Sequence, residues 1–344
     1  MKLLRLSNPF PGRVFELPSM IAVTGASGLL GGNLVRELLA QGCRVRALIH
    51  TDDRAVRGLE VETVRADLEE PASLERAFDG VDVVYHLASL ISISMDSWES
   101  VYRVNVLGTR NVVEACLKGG VRRLVHVSST HARRPEPFDQ PLDEDRPLVT
   151  GPGLPPYDRS KALGEIEIRK GLERGLDSVI LIPSGILGPY DFRPSLAGEG
   201  LLLMQRGGLP VLTTGGYNWV DARDVAAGAV RAADRAAAGS RYILSGHWHS
   251  IHEVAVLAAQ ISGTHPPRLV IPLWLAEMGL PFMEKLGTLR GTQPLYTRAM
   301  LSALRSNHLI SHARATRVLG YAPRPFVETL TDTLTWFAHE RSPG

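Results

Sequence analysis

The chain has 344 residues, 44% hydrophobic and 22% charged, the make-up of a globular protein with room for one large α/β domain and a smaller appended one. Its 38 basic and 36 acidic residues leave a formal net charge of +2, and no block of like charge singles out nucleic acid or an anionic membrane as partner. Only Cys43 and Cys116 occur, without metal-ligand spacing, so buried thiols, no metal and a reducing cytoplasm are expected.

Residues 1–19 read as an N-terminal extension. Pro9, Pro11, Glu16 and Pro18 exclude the long apolar stretch of a signal peptide, and Met20 stands before the first strand as a starting methionine would. From there, short β-branched runs alternate with helical periodicity, the pattern of βαβ units and a parallel sheet. The pattern predicts strands at Met20–Thr24, Arg44–Ile49, Val61–Arg65, Val81–Leu87, Arg123–Ser128 and Ser178–Ile182. It predicts helices at Leu29–Ala40, around Ala72–Phe78, and from Trp98 to Lys118, where Gly119-Gly120 supplies the stop. A loop from His131 to Pro156 carries seven prolines and leads into a helix near Tyr157; loops this long are usually functional or disordered. Residues 20–183 then form a dinucleotide-binding core and 184–344 mainly a smaller α/β substrate lobe, with 209–246 returning to the core and Pro325–His339 as a closing helix. Leu269–Met283, interrupted by prolines and Glu277, reads as a buried or pocket-lining helix, with a membrane-associated one as the alternative; no apolar run is long enough to span a bilayer.

The segment Thr24-Gly25-Ala26-Ser27-Gly28-Leu29-Leu30-Gly31 sits between the first strand and first helix. Glycines at 25, 28 and 31 suit a tight turn, close backbone approach to a pyrophosphate, and close helix–strand packing. The helix start adds unpaired N–H groups and a partial positive charge, so a Rossmann-type, doubly wound sheet binding a dinucleotide is expected. The second strand ends at His50, not at a carboxylate that would hold a ribose 2′-hydroxyl. With Arg54 nearby, that end favours NADP(H), while Asp52 or Asp53 turned inward would suit NAD(H). Asp67, followed by Leu68, is placed to reach the adenine amino group, or else caps the helix before Pro71.

Tyr157-Asp158-Arg159-Ser160-Lys161 puts a tyrosine and a lysine at i and i+4 on one helix face, following a strand that ends in Ser128-Ser129. Hydride reduction of a carbonyl needs a proton donor at the oxygen. A phenol is a reluctant donor near neutral pH, and a nearby ammonium is expected to lower its pKa. Ser129 would orient the substrate oxygen.

These residues, with TGASGLLG (24–31), ADL (66–68), YHLAS (85–89), VNVLGTRNV (104–112), VHVSST (125–130), YDRSK (157–161), IPSGILGP (182–189), WVDARDVA (219–226) and LGYAPRP (319–325), make the chain resemble an extended short-chain dehydrogenase/reductase over residues 20 to 340. The dihydroflavonol reductase and 3β-hydroxysteroid dehydrogenase branch is the nearest. The resemblance implies Ser129, Tyr157 and Lys161 as catalytic residues, with Thr130 in place of Ser129 if the register slips by one. It implies Asn105 as a residue positioning the lysine through water; Asn105 also reads as a polar residue satisfying backbone. Leu87, Ala88 and Ser89 would line the cofactor, and Pro183 to Ile186 would flank its nicotinamide.

The stretch after Ser129 lacks the Asp-Glu pair of the family's dehydratases and the Tyr-Gly of its epimerases, which favours simple reduction of a ketone or aldehyde, or oxidation of the alcohol. A sugar-nucleotide epimerase or dehydratase, or a non-catalytic dinucleotide sensor, is the alternative. Leu90, Ile91, Ser92, Ile93, Phe192 and Leu269–Met283 suggest an apolar pocket, with Ser89, His131, Tyr190 and Trp219 as its polar or aromatic members. The resemblance also implies a homodimer through the helices Trp98–Lys118 and Tyr157–Arg174, whose apolar faces carry Val101, Val112, Val113, Leu163 and Ile166 and could equally pack on the chain's own sheet.

Overall fold

The computed structural model describes residues 20–92, 97–208, 211–267, 269–280, 301 and 304–340. Six strands follow the predicted order: β1 (Met20–Thr24), β2 (Arg44–Ile49), β3 (Glu62–Arg65), β4 (Val83–His86), β5 (Arg123–Val127) and β6 (Ser178–Pro183). With β10 (Arg241–Leu244) they form one parallel sheet in the order β10-β6-β5-β4-β1-β2-β3. The order reverses beside β1, the switch point where ligands bind in doubly wound sheets.

Strands buried on both faces need apolar residues on both, and β1, β4, β5 and β6 are nearly continuous apolar runs. Helices α1 (Leu29–Ala40) and α7 (Ala222–Arg235) close one face, where Leu34, Leu38, Val225 and Ala229 meet Ile21, Val23 and Val125. The other face is closed by α2 (Pro71–Ala77), α4 (Gly108–Lys118) and α5 (Pro156–Glu173) through Leu74, Val112, Cys116 and Ile168. Helices α4 and α5 lie very close. A Cβ on Gly171 would stand 2.7 Å from Val113, and one on Gly164 would stand 2.9 Å from the Asn105 carbonyl.

The predicted helix from Trp98 to Lys118 is helical throughout but not uniform. It runs as α3 (Trp98–Val101), a π-helical turn (Tyr102–Leu107) and then α4. Val101, Val112 and Val113, expected on a dimer face, are buried in the chain's own core, because these helices cover the sheet; Leu163 and Ile166 remain half-buried. The strand predicted at Val81–Leu87 is shorter, and just past its end the Thr24 hydroxyl accepts the Leu87 and Ala88 N–H groups at 3.2 Å.

Beyond β6 the smaller lobe holds a three-stranded sheet of β7 (Gly185–Leu187), β9 (Gly216–Asp221) and β11 (His247–Ser250), and a pair of β8 (Val211–Thr213) with β12 (Leu269–Ile271). Helices α6 (Leu196–Gln205), α8 (Ile251–Ser262) and a closing helix, Phe326–Glu340, pack there around Leu201, Leu212, Val254 and Leu330. The return to the core is narrower than 209–246. Within it, α7 packs on the main sheet and β10 joins it, while β8 and β9 pair within the lobe; Ala315, Leu319 and Tyr321 also pack into the core from the C-terminal side. Leu269–Met283 is not one buried helix. It opens as β12, and residues 273–280 are helical with Ala276 and Leu280 buried but Trp274 and Met278 exposed. Its last residues, Ile93 and the extension 1–19 lie outside the described residues. Among the described residues, no helix is long and apolar enough to cross a membrane.

The proline-rich loop is tied down. Leu142 bridges Ile310, the Glu144 carboxylate accepts the Ile243 N–H at the sheet edge, and Asn307 donates to the Gln140 carbonyl. Its entry is fixed by a fully buried ion pair. Arg133 Nη1 and Nη2 meet Glu165 Oε1 and Oε2 of α5 at 2.8 and 2.9 Å, and the Ser128 hydroxyl donates to the same carboxylate. Breaking one partner of such a pair strands a buried charge at a cost of about 3–5 kcal/mol. Arg133→Met should therefore lower the unfolding free energy in urea by about that amount; a loss under about 1 kcal/mol would contradict this role.

Candidate active site

Three loops leave the carboxyl ends of β1, β4 and β5 and meet the start of α5. In the first loop Gly25 has φ +70°, and a Cβ there would come within 2.7 Å of the Ala88 backbone. A Cβ on Gly31 would overlap the Gly25 carbonyl oxygen at 2.0 Å. Gly28 has only an ordinary contact at 3.5 Å and is exposed, so nothing in the chain itself requires glycine there. Helix α1 begins at Leu29 with no side-chain cap and no acid in its first turn, which leaves its N–H groups and dipole free for an anion. A cradle open at Gly28, with Ser27, Leu29 and Leu30 around an uncapped helix start, fits a dinucleotide pyrophosphate.

The Thr24 hydroxyl organises the neighbouring loop. Besides the two N–H groups after β4, it bonds His86 Nδ1 at 2.8 Å, while His86 Nε2 meets the Thr109 hydroxyl. This sets Leu87, Ala88 and Ser89 beside the glycine loop. Asn105, in the π-helical turn, clamps the same loop from the other side: its Oδ1 accepts the Leu90 N–H, and its Nδ2 donates to the Leu90 carbonyl and the Ser160 hydroxyl. Its side chain thus meets backbone and Ser160, and it ties the β4 loop to the turn of α5 preceding Lys161.

Lys161 is buried and donates to the Val127 carbonyl at 2.8 Å. Burial lowers its pKa to about 8, with Glu165 acting the other way. Tyr157 lies one helical turn earlier. Burial, and then the charge of Asp158, push its phenol up to about 12, offset in part by a hydrogen bond with Ser129. The lowering expected from the lysine is not what moves this group; burial and then the charge of Asp158 dominate. Ser129 ends β5 in an extended conformation, and its Oγ accepts the His131 N–H. Thr130 instead opens the following 3-10 turn, so Ser129, not Thr130, partners Tyr157.

The adenosine end is more constrained than expected. His50 Nε2 is 3.5 Å from Asp67, whose carboxylate also accepts the Glu69 N–H. Arg54 is held by Asp52 at 2.6 Å, an exposed pair that keeps the Asp52 carboxyl down at about 2. Leu68 packs under Gly108, and its carbonyl accepts from Asn111. At the other end, Pro183 closes β6 beside Leu244, Ile186 of β7 pairs with Val220, and Trp219 lies against Gly185. The indole N–H of Trp219 is buried and has no hydrogen-bond partner among the described residues. Tyr190 is not brought to Tyr157: it carries φ +70° and is covered by Arg36 of α1, 4.0 Å over its ring, with Phe192 and Trp336 alongside.

Two residues were missed by the sequence reading. Asp158 sits inside the motif itself, and its Oδ1 lies 3.1 Å from His131 Nδ1. Tyr217, 5.2 Å from Trp219, is pushed up by burial and by the charge of Asp158, which places it at the same end. Only the placement of Asp158 next to Tyr157 signalled it. Tyr217 carried no local pattern.

The model of the NAD dependent epimerase/dehydratase family matches residues 21–244. The chain is 35% identical over 321 residues to the sterol demethylase protein B of Methylococcus capsulatus, covering 92% of this chain and 97% of that one. It is 30% identical to the 2-alkyl-3-oxoalkanoate reductase of Stenotrophomonas maltophilia, covering 90% and 96%. Among solved structures, that of gox2253 superposes with a TM-score of 0.82 at 31% identity, covering 94% of this chain and 99% of the other.

The loop geometry separates two glycines. Gly31→Ala should cost about 1–3 kcal/mol of unfolding free energy through overpacking, while Gly28→Ala should stay within about 0.5 kcal/mol. Equal losses by thermal or urea unfolding would contradict the contacts described.

Proposed function

Since the chain belongs to the NAD-dependent epimerase/dehydratase family, we propose that it interconverts a ketone and its secondary alcohol on a small, largely apolar substrate, with Tyr157 handling the proton. It is an NAD(P)-dependent oxidoreductase of the extended short-chain dehydrogenase/reductase type. The observation that carries the assignment to Tyr157 is its place on α5 one turn before buried Lys161, beside the loop that carries Ser129.

The nicotinamide, when bound, supplies or accepts the hydride. In reduction, the Tyr157 phenol donates its proton as negative charge develops on the substrate oxygen. Burial holds the phenol protonated and ready to give. Ser129 donates to the same oxygen and orients it, and the Lys161 ammonium, one turn along α5, would meet the cofactor ribose. Gly25, Ser27, Gly28 and the start of α1 would hold the pyrophosphate; Leu87, Ala88, Ser89, Pro183 and Ile186 would line the nicotinamide half.

NADP(H) is the preferred cofactor in this reading, because β2 ends in His50 rather than a carboxylate and Arg54 needs only to leave Asp52 to reach a 2′-phosphate. The apolar substrate follows from the exposed Leu90 and Ile91 beside the cofactor loop, from Trp219, and from relatives named for sterol demethylation and for 2-alkyl-3-oxoalkanoate reduction. A cytoplasmic homodimer, joined along the outer faces of α4 and α5 at Leu163 and Ile166, completes the reading.

Tyr157→Phe should reduce kcat by about 100-fold or more while leaving the affinity for NADPH within twofold (about) of wild type; turnover near the wild-type rate would refute the role. Titration should show NADP⁺ binding more tightly than NAD⁺, and the reverse order would overturn the cofactor preference. Lys161 has a lowered pKa, so its proton is lost as pH rises through about 8. The kcat/KM for the cofactor, which reports the free enzyme, should then fall above about pH 8; a profile flat to pH 10 (about) would contradict it.

A further inference from the structure

We propose that His131 and Asp158 form a proton relay that restores the Tyr157 proton after each reduction. The proposal rests on the assignment of Tyr157 as proton donor. His131 follows Ser129 on the one-turn helix Thr130–Ala132, and Asp158 follows Tyr157 on α5, so the two elements that carry the reacting pair also carry this second pair. His131 Nδ1 lies 3.1 Å from Asp158 Oδ1, and its ring meets the Tyr157 ring edge-on at 6.0 Å. The His131 N–H also donates to Ser129 Oγ at 3.2 Å. His131, Asp158 and Tyr157 thus share one cluster, which the His131 backbone ties to Ser129.

A half-buried phenol beside the Asp158 carboxylate leaves behind a costly phenolate once its proton is gone. Lys161, on the same helix face, is only 5% exposed and its ammonium is bonded to the Val127 carbonyl. His131 is set deep in the same wall yet keeps 34% of its side chain exposed, and Asp158 keeps 24%. A carboxylate on Nδ1 fixes the tautomer and leaves Nε2 as the exchanging nitrogen, the same logic by which a carboxylate orients a catalytic imidazole. Burial draws the imidazole toward its neutral form, but the charge and hydrogen bond of Asp158 outweigh this and raise its pKa.

The protons balance as follows. The Tyr157 O–H bond breaks as an O–H bond forms on the substrate oxygen, leaving phenolate. The imidazolium Nε2–H then gives its proton to the phenolate oxygen, leaving neutral imidazole. That imidazole takes a proton from solvent or buffer through its exposed edge, and oxidation runs the same steps in reverse.

The test is steady-state ketone reduction by wild type, His131→Ala and His131→Gln at fixed pH and ionic strength, with rising imidazole and with a bulky buffer of similar pKa. His131→Ala should lose about 10- to 100-fold in kcat in the bulky buffer and regain rate saturably with imidazole, whereas wild type should not respond. His131→Gln, which keeps volume and a donor toward Asp158, should show the same loss with an unchanged melting temperature. Proton NMR of the cofactor-free protein should show the His131 titration moving to lower pH in Asp158→Asn. Rates within twofold (about) of wild type for either His131 variant, or a loss that imidazole does not restore, would overturn the relay. Tyr157→Phe assayed alongside separates the two ideas: an active Tyr157→Phe sinks the donor assignment, while an inactive one beside normal His131 variants sinks the relay alone.

Discussion

The site depends on one buried contact, the Arg133–Glu165 ion pair with the Ser128 hydroxyl bonded to the same carboxylate. Two full charges removed from water are costly unless closely paired, and the doubled contact to Glu165 with the Ser128 hydroxyl ties three segments in one register even though Arg133 Nε has no partner among the described residues. Ser128 belongs to the end of β5, Arg133 to the loop that follows, and Glu165 to α5. Fixing these three fixes what lies between: Ser129, the short turn carrying His131, and the face of α5 carrying Tyr157 and Lys161. The reacting groups sit on a strand end and a helix, with their register locked behind them by a pair that touches none of them.

A second constraint acts at the glycine loop. Gly25 and Gly31 are required because backbone stands where their Cβ atoms would be, whereas the cradle at Gly28 stays open. Thr24 couples that loop to the β4 loop, and Asn105 couples the β4 loop to α5. The π-helical turn around Asn105 offers its side chain to both partners at once, in keeping with the tendency of such turns to fall at functional sites. Cofactor cradle and proton-handling groups are thus connected through short polar contacts across β1, β4 and α5.

Most of the core was legible because its strands are buried on both faces and its helices carry clear apolar stripes; β1, α1 and β2 end at the residues where periodicity ends them. The Tyr157–Lys161 spacing and the glycine loop were legible because each is local in sequence. What escaped was set by contacts between distant segments. Nothing near Val112 or Val113 shows that the sheet, rather than a second subunit, covers them. Tyr190 reads as a pocket aromatic until Arg36 and Trp336 are seen against it. The upward shift of Tyr157 depends on its burial and on Asp158, and spacing to Lys161 alone suggests the opposite sign. At the adenosine end, Arg54 reads as a free cation in sequence but is closed onto Asp52 in the fold.

The measurement that bears most directly on Tyr157 as proton donor is a single-turnover transfer of deuterium from labelled reduced cofactor to a ketone, with wild type and Tyr157→Phe at equal cofactor occupancy. The account predicts label on the product carbon at a rate that collapses in the variant while cofactor occupancy is unchanged. Label transferred by the variant at the wild-type rate would contradict it.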